Sequence, residues 1–488
     1  MMRVPHPPDH GLFQFLRAAV QVHQRFVSGA LSRAESPIYV IGNPSADLDS
    51  IVSALVYSYF ANNRVPCDNP RPHVPVINLE KVPAGPELRR LRPEFAKALW
   101  LSGCPGTGRD TTEKTLEVDE NSLFRDHFLT VADFATHLKQ EGVSGVEHRL
   151  HADSVLVDWN ALPIRSTDRQ PGHGSLVGLS MVEFNVLGCI DHHTDERFLP
   201  TIAPTQPYLV EPTGSCTSHV VNILETMGLW ERPEKQDSDP KGGELSSSFE
   251  ITDEQMARLA VAPILIDTAN LSAKDKVTEF DTAAYDFLLP KTNQSLARSS
   301  WDPNTFYMQV NESKQNSLEL LTVDEILDRD YKEWAEKTSQ QTDTPSPIQI
   351  GICSMVKSIP WIVRKAGGPK PFLQSLQTFA TNRKLDIVVV MTAFSSAKDG
   401  QFSRELLVCA LNNQHAVDAL QTFLSEAGSR LGLEEWSSLD GDDFAQDIKD
   451  TWVNSAEDSP WIRIWTQTNV AQSRKQVAPL IRGAVASL

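Results

Sequence analysis

At 488 residues the chain is too long for one compact core, and two domains are the expectation. A hydrophobic content of 40% and a charged content of 22% are those of an ordinary soluble globular protein. The net charge of −18 argues against general affinity for nucleic acid or anionic membranes, while leaving room for a local basic channel.

Six cysteines (Cys67, Cys104, Cys189, Cys216, Cys353, Cys409) are scattered without a C-x-x-C pair, which reads as free thiols in a reducing compartment. The opening MMRVPHPPDHGLFQFL lacks the apolar core of a signal peptide. The longest apolar runs, such as DIVVVMTAF, are too short to span a bilayer. A cytoplasmic protein is therefore expected, with no membrane and no nucleic-acid partner.

In chain order, residues 11–35 read as an amphipathic helix through Phe13, Leu16, Val20 and Val22. A strand over 37–42 leads into IGNPSADLDS (41–50) and a helix over 50–62. Strand, loop and helix in that order predict an α/β domain with a mostly parallel sheet. Further runs of strand length are HVPVINL (73–79), SVLVDWN (154–160), VEFNVLGCIDHH (182–193) and VAPILIDTAN (261–270). Three of these carry an acid near their end, Asp158, Asp191 and Asp267, which joins Asp47 and Asp49. In open parallel sheets, ligands bind beyond the C-terminal ends of strands. Between them, EPTGSCTSHVV (211–221) has a Gly-Ser turn opening a helix, readable either as a Ser/Thr cap or as an anion-binding N-terminus.

Two polar stretches, 103–115 and 231–248, read as surface insertions. The pattern breaks around 288–304, which places a domain boundary near residue 300. A second, smaller α/β or α+β unit follows, with strands at 347–356, 385–394 and 404–411 and helices at 371–382 and 414–431. Between Pro345 and Leu385 there is no acid, but there are Lys357, Arg364, Lys365, Lys370, Arg383 and Lys384. The tail after Asp458 carries Arg463, Arg474, Lys475 and Arg482 and again no acid. Both segments suggest an anion-binding face.

Asp191-His192-His193 at a strand end offers a carboxylate and two imidazoles at one rim. Such ligands suit Mn, Fe, Zn or Co, whereas a site of oxygens suits Mg. Asp47 alone reads as a helix cap, and a lone D-H-H as a polar turn. Crowding Asp47, Asp49, Asp158, Asp191 and Asp267 together without cations would cost several kcal/mol. Two divalent ions about 3.5–4 Å apart, bridged by a carboxylate, are what in-line hydrolysis of a phosphate needs.

GNPSADLDS, VLVDWN, CIDHH and ILIDTAN, in that order, resemble the four motifs of the DHH phosphoesterase superfamily. QSRKQVAPLI (472–481) resembles a segment of the DHH-associated domain shared by family II inorganic pyrophosphatases, eukaryotic exopolyphosphatases and prune proteins. The resemblance implies a catalytic domain at 1–300 and a substrate-binding domain at 301–488, with the active site in the cleft between them. It also implies two divalent metal ions, Mg2+ or Mn2+, with Co2+ a third candidate. Asp47, Asp49, Asp158, His192 and Asp267 would be the ligands, with Asp158 bridging. Asp191 would lie near the metals or orient His192, and His193 would contact phosphate and assist the leaving group. Arg474, Lys475 and Lys276, preferred over Lys274, would bind phosphate.

Where pyrophosphatases carry His in the opening motif, this chain has Asn43, as in the exopolyphosphatase and prune branch. His193, which is Arg in vertebrate prune proteins, points to the exopolyphosphatases. The reading is a hydrolase releasing orthophosphate from the ends of inorganic polyphosphate. The alternatives are an inorganic pyrophosphatase, a prune-like phosphohydrolase of cyclic nucleotides or nucleoside polyphosphates, and a binding protein that has lost turnover. A monomer is expected, on no specific motif.

Overall fold

In the computed structural model, which describes residues 11–62, 71–103, 123–142, 149–166, 171–199, 206–231, 245–293, 301–339, 347–396, 400–411, 413–438, 444–453 and 460–488, the first apolar run forms β1, Ile38–Ile41, buried at every residue. Six more strands complete its sheet: β2 (His73–Val76), β3 (Leu150–Val157), β4 (Ile164–Arg165), β5 (His173–Ser175), β6 (Val182–Asp191) and β7 (Tyr208–Val210). Their order is β2-β1-β3-β6-β5-β4, with β7 also on β6. β1 pairs in parallel with both β2 and β3, β6 in parallel with β3 and β7, and β4 and β5 form an antiparallel edge. The chain leaves β1 toward β2 on one flank and returns through β3 on the other. β1 is thus the switch point, where a crevice opens at the strand ends.

Register sets the site. Ile41 pairs with Leu156, and Val157 with Ile190, so Gly42, Asp158 and Asp191 emerge together at one sheet edge. The helix Leu48–Asn62 is buried on nearly every side, against the helices Cys216–Thr226 and Leu245–Asp267. That burial explains an apolar sequence without a clear stripe. Leu12–Val27 is helical and buries Leu12, Phe13, Leu16, Ala19, His23 and Val27 along one face. It stops well short of residue 35, because Gly29 turns left-handed at φ 71.

One expected element is of the other kind. The apolar run 261–270 ends a long helix, Leu245–Asp267, and is not a strand. Asp267 therefore closes a helix, not a strand. Short apolar runs do not separate a buried strand from a buried helix, and here the run continues upstream through Met256, Leu259 and Ala260, all fully buried.

The chain divides into two compact units, Met1–Lys314 and Gln315–Leu488. The boundary expected near residue 300 lies outside the described residues, as do most of the two expected insertions. The second unit has a mixed sheet ordered β14-β15-β13-β10-β9-β8. It comprises β8 (Tyr331–Glu336), β9 (Ile348–Met355), β10 (Ile387–Thr392), β13 (Glu405–Ala410), β14 (Leu433–Glu435) and β15 (Trp461–Gln467), while β11 (Phe394–Ser395) and β12 (Phe402–Ser403) form a small ribbon. β9 and β10 are parallel, and the helices Ile359–Ala366 and Pro369–Arg383 make the crossover. Ile350, Ile352, Val389, Leu406 and Val408 pack against the helices Gln414–Leu431 and Arg474–Ala486. β8 and β15 went unanticipated, since YKEWAE and WIRIWTQ carry too much charge and polarity to read as buried strands.

Among the described residues, no helix is long and apolar enough to cross a membrane. Cys189, Cys216, Cys353 and Cys409 are buried and unbridged, whereas Cys67 and Cys104 lie outside the described residues.

Candidate metal centre

β1 ends in Gly42, and a Cβ there would collide with Ser50 in the first turn of the following helix. The close approach lets Ser50 Oγ accept from Asn43 N at 2.7 Å. Asn43 then turns inward. Its Oδ1 accepts from the backbone N–H groups of Ser45 and Ala46, at 2.9 and 3.2 Å. Its Nδ2 donates to Asp158 Oδ2 at 2.6 Å and to the Asp158 carbonyl at 3.2 Å. Because backbone N–H groups need an acceptor, the amide orientation is dictated. The side chain is a tie between two motifs, with its oxygen already committed.

Asp47 is exposed, and its Oδ1 accepts from Ser50 N at 3.0 Å, the geometry of a helix cap. Asp49 is buried and faces the start of a second helix, Cys216–Thr226. Its Oδ1 accepts from Ser215 Oγ, Thr217 N and Thr217 Oγ1 at 2.7, 2.9 and 2.7 Å, and its Oδ2 from Cys216 N at 2.7 Å. The anion at this helix N-terminus is thus the protein's own carboxylate. The Gly214 and Ser215 N–H groups are likewise taken by Asp281. Burial pushes the Asp49 carboxyl up, and Asp47 adds to that, against the pull of the Ser215 and Thr217 bonds.

Asp158 follows β3 in the left-handed region at φ 54, a conformation that Asp tolerates better than most residues. Its Oδ1 lies 3.0 Å from His192 Nε2 and 3.6 Å from His193 Nδ1. One donor atom from each of Asp158, His192 and His193 falls within 4.8 Å of the others. His192 Nε2 is also 4.0 Å from Asp49 Oδ2. The expected acceptor for the His192 ring was Asp191, but the ring's Nδ1 meets the Thr213 carbonyl at 3.0 Å. Asp191 serves the neighbour: its Oδ1 takes His193 Nδ1 and the His192 backbone N–H, both at 2.7 Å, and Oδ2 takes Asn160. Burial pushes the Asp191 carboxyl up, but the His193 charge and these bonds outweigh it and hold it below the usual range.

Asp267 is about 29% exposed, with Lys314 Nζ 3.8 Å from its Oδ1. Its carboxyl is pushed up to about 7, first by burial and then by Asp49 and Asp47, with Lys314 and Lys276 acting the other way. The charge of Lys276 thus reaches Asp267, and the side chains of Lys274 and Lys276 are both exposed. Three successive left-handed residues, Ala269, Asn270 and Leu271, end the helix here. Such strain gathers at functional sites.

In the second unit the two supposed phosphate ligands differ. Lys475 is exposed, but Arg474 donates to the Asp330 carbonyl and Oδ1 at 2.9 and 2.6 Å. Three more cations of the acid-free segments are paired in the same way. Lys357 meets Glu319 at 3.6 Å, Arg383 meets Asp328, and Arg482 meets Glu336. The partners of these cations come from 319–336, just before the acid-free stretch, whereas Lys370, Lys384 and Lys475 are exposed.

His192 is placed as a metal-binding imidazole would be. With Nδ1 donated to Thr213, the Nε2 lone pair faces Asp158 Oδ1 at 3.0 Å. Two lone pairs at that distance repel unless a proton or cation stands between them. The separation is that of neighbouring ligands held about 2.1 Å from one ion. The backbone acceptor on the far nitrogen is the usual support for a metal-bound imidazole. These nitrogen and carboxylate donors fit a divalent ion. Sequence reasoning missed Thr213, Thr217, Asn160 and Lys314. Asn160 stands two residues after Asp158, and Thr213 and Thr217 lie within the 211–221 turn, whereas Lys314 belongs to no motif.

A family model described as the DHHA2 domain matches residues 308–484. A protein of Schizosaccharomyces pombe named "Putative exopolyphosphatase" is 27% identical over 461 residues, covering 94% of this chain and 93% of that one. Among solved structures, one described as "Methanococcus jannaschii putative family II inorganic pyrophosphatase" is 17% identical with a TM-score of 0.48, covering 91% of this chain and 98% of that one. The ordered motifs, the DHHA2 match in the second unit and the similarity along nearly the whole chain are all consistent with the DHH phosphoesterase superfamily.

Proposed function

We propose that this protein is a divalent-metal-dependent exopolyphosphatase that releases orthophosphate from the ends of inorganic polyphosphate. The observation that carries the reading is the convergence of Asp158, His192 and His193 at one sheet edge, with Asn43 tied to Asp158. The similarity to the S. pombe protein along nearly the whole chain supports the same class of substrate.

Bound divalent ions, Mg2+ or Mn2+, would neutralise phosphate charge and activate water as a Lewis acid. Asp47, Asp49, Asp158, His192 and Asp267 would hold them. A bound cation would offset the burial and mutual repulsion that raise the Asp49 and Asp267 carboxyls. His193, held through Nδ1 by Asp191, would contact phosphate or protonate the leaving oxygen. Lys276, Lys475 and Arg474 would bind the phosphates, Arg474 after exchanging Asp330 for substrate.

The test is phosphate release by purified protein from long polyphosphate, pyrophosphate, cyclic nucleotides and nucleoside polyphosphates, each with Mg2+, Mn2+ and Co2+. Release from polyphosphate is expected. Turnover confined to pyrophosphate or to nucleotides would replace the reading with that activity, and metal binding without any turnover would leave a binding protein.

A further inference from the structure

The turn from Asn43 to Asp47 lies outside any strand or helix, and it buries Ser45 and Ala46 almost completely. Ala46 is left-handed at φ 44, a conformation that disfavours a Cβ. Buried carbonyls in such a turn need donors. Arg92 supplies them: its Nε donates to Ala46 O at 2.7 Å and its Nη2 to Ser45 O. Its Nη1 donates to Leu91 O at 3.1 Å. Arg92 sits at the joint between the helices Pro86–Leu91 and Pro93–Gly103, with only 2% of its surface exposed. Burying a guanidinium is expensive, and here two of its bonds go to adjacent carbonyls of one turn. That turn carries Asn43, whose amide holds Asp158, and it leads directly into Asp47 and Asp49.

We propose that Arg92 is a positioning residue for the metal centre. Its planar fork fixes the Ser45–Ala46 carbonyls, and through them the directions of the Asp47 and Asp49 carboxylates and the Asn43–Asp158 bond. This rests on the metal reading above. Lysine keeps the charge but offers a single point in place of the fork, so geometry and charge can be told apart.

The experiment titrates metal-free protein with Mn2+, by calorimetry or by the Mn2+ resonance signal, for wild type, Arg92→Lys and Arg92→Met. Circular dichroism and urea unfolding establish that each variant is folded at the titration temperature. Both variants are expected to bind Mn2+ about 10–100-fold more weakly than wild type, the loss typical of removing a group that supports metal ligands. In turnover, kcat should fall more than KM rises. A folded Arg92→Lys or Arg92→Met that binds Mn2+ with wild-type affinity would overturn the proposal, leaving Arg92 a packing residue. If Arg92→Met does not fold, Arg92→Lys decides. A wild type that takes up no Mn2+ would overturn the metal reading and this inference with it, a result distinct from equal binding by wild type and variant.

Discussion

Asp158 concentrates the chemistry of the site at a single residue. It stands in left-handed backbone at the end of β3, with Asn43 on one oxygen and His192 near the other. Asparagine is the informative replacement, since it has the same shape and tolerates the same backbone region. Asp158→Asn should therefore fold with little change in its urea midpoint. Its phosphate release should fall on the order of 10³-fold, the several kcal/mol that a bound metal contributes to such a transition state. Wild-type turnover in this variant would remove Asp158 from the mechanism. Asn43 matters differently. A histidine at this position would offer a ring nitrogen, whereas the Asn43 oxygen is spent on Ser45 and Ala46 and its nitrogen on Asp158.

At the scale of elements, two helix N-termini meet at Asp49. It lies in the first turn of Leu48–Asn62 and receives the N–H groups that begin Cys216–Thr226. Both helix dipoles favour its charged form, against the burial that opposes it. Thr217→Val keeps the shape and removes one hydroxyl bond to Asp49, while leaving the buried Ser53 hydroxyl without its Thr217 partner. A loss of about 2 kcal/mol is expected in urea unfolding, together with weaker Mn2+ binding. An unchanged midpoint would show that the bond contributes nothing net.

A second contact between elements carries a pH dependence. His23, on the helix Leu12–Val27, meets Tyr39 of β1 at 2.9 Å and His137 of the helix Val131–Gln140 at 3.1 Å. Burial, and then the His137 charge, hold its ring down to about 3. The unfolded chain binds that proton more readily, near pH 6.5, so the stabilisation is complete above pH 6.5 and is lost as pH falls toward 3. Between pH 7 and pH 5 this one group should cost about 2 kcal/mol of stability. His23→Gln, which retains polar contacts, should flatten the fall in urea midpoint over that window. An equally steep fall would assign it to other groups.

For the whole molecule, the net charge of −18 hides how its cations are used. Four of those in the acid-free segments, Arg474 among them, pair with acids at 319–336. Releasing it tests its proposed role. Asp330 is more than a third exposed, so its pair with Arg474 is worth under about 1 kcal/mol. If Arg474 binds phosphate, Asp330→Asn should lower KM for polyphosphate by up to about fivefold with kcat little changed. A KM that does not move would set Arg474 apart from substrate.

The α/β class, the strands β1, β3 and β6, and the ordered motifs were legible in the chain because they are local: an apolar run, a turn and a carboxylate lie within ten or so residues of one another. Parallel pairing then brings those loops to one edge, since the register of β1, β3 and β6 leaves their ends level. What the chain did not reveal depends on partners far apart in sequence. The helical nature of 261–267 comes from burial on all sides, the Asp49 clamp from a helix that begins more than 160 residues later, and the orientation of His192 from the Thr213 carbonyl. Residue type alone determined that carboxylate and imidazole donors would be present at the strand ends. Only the tertiary structure decided which oxygen of each acid is already bonded and which faces the centre, because hydrogen bonds between distant segments leave no local pattern.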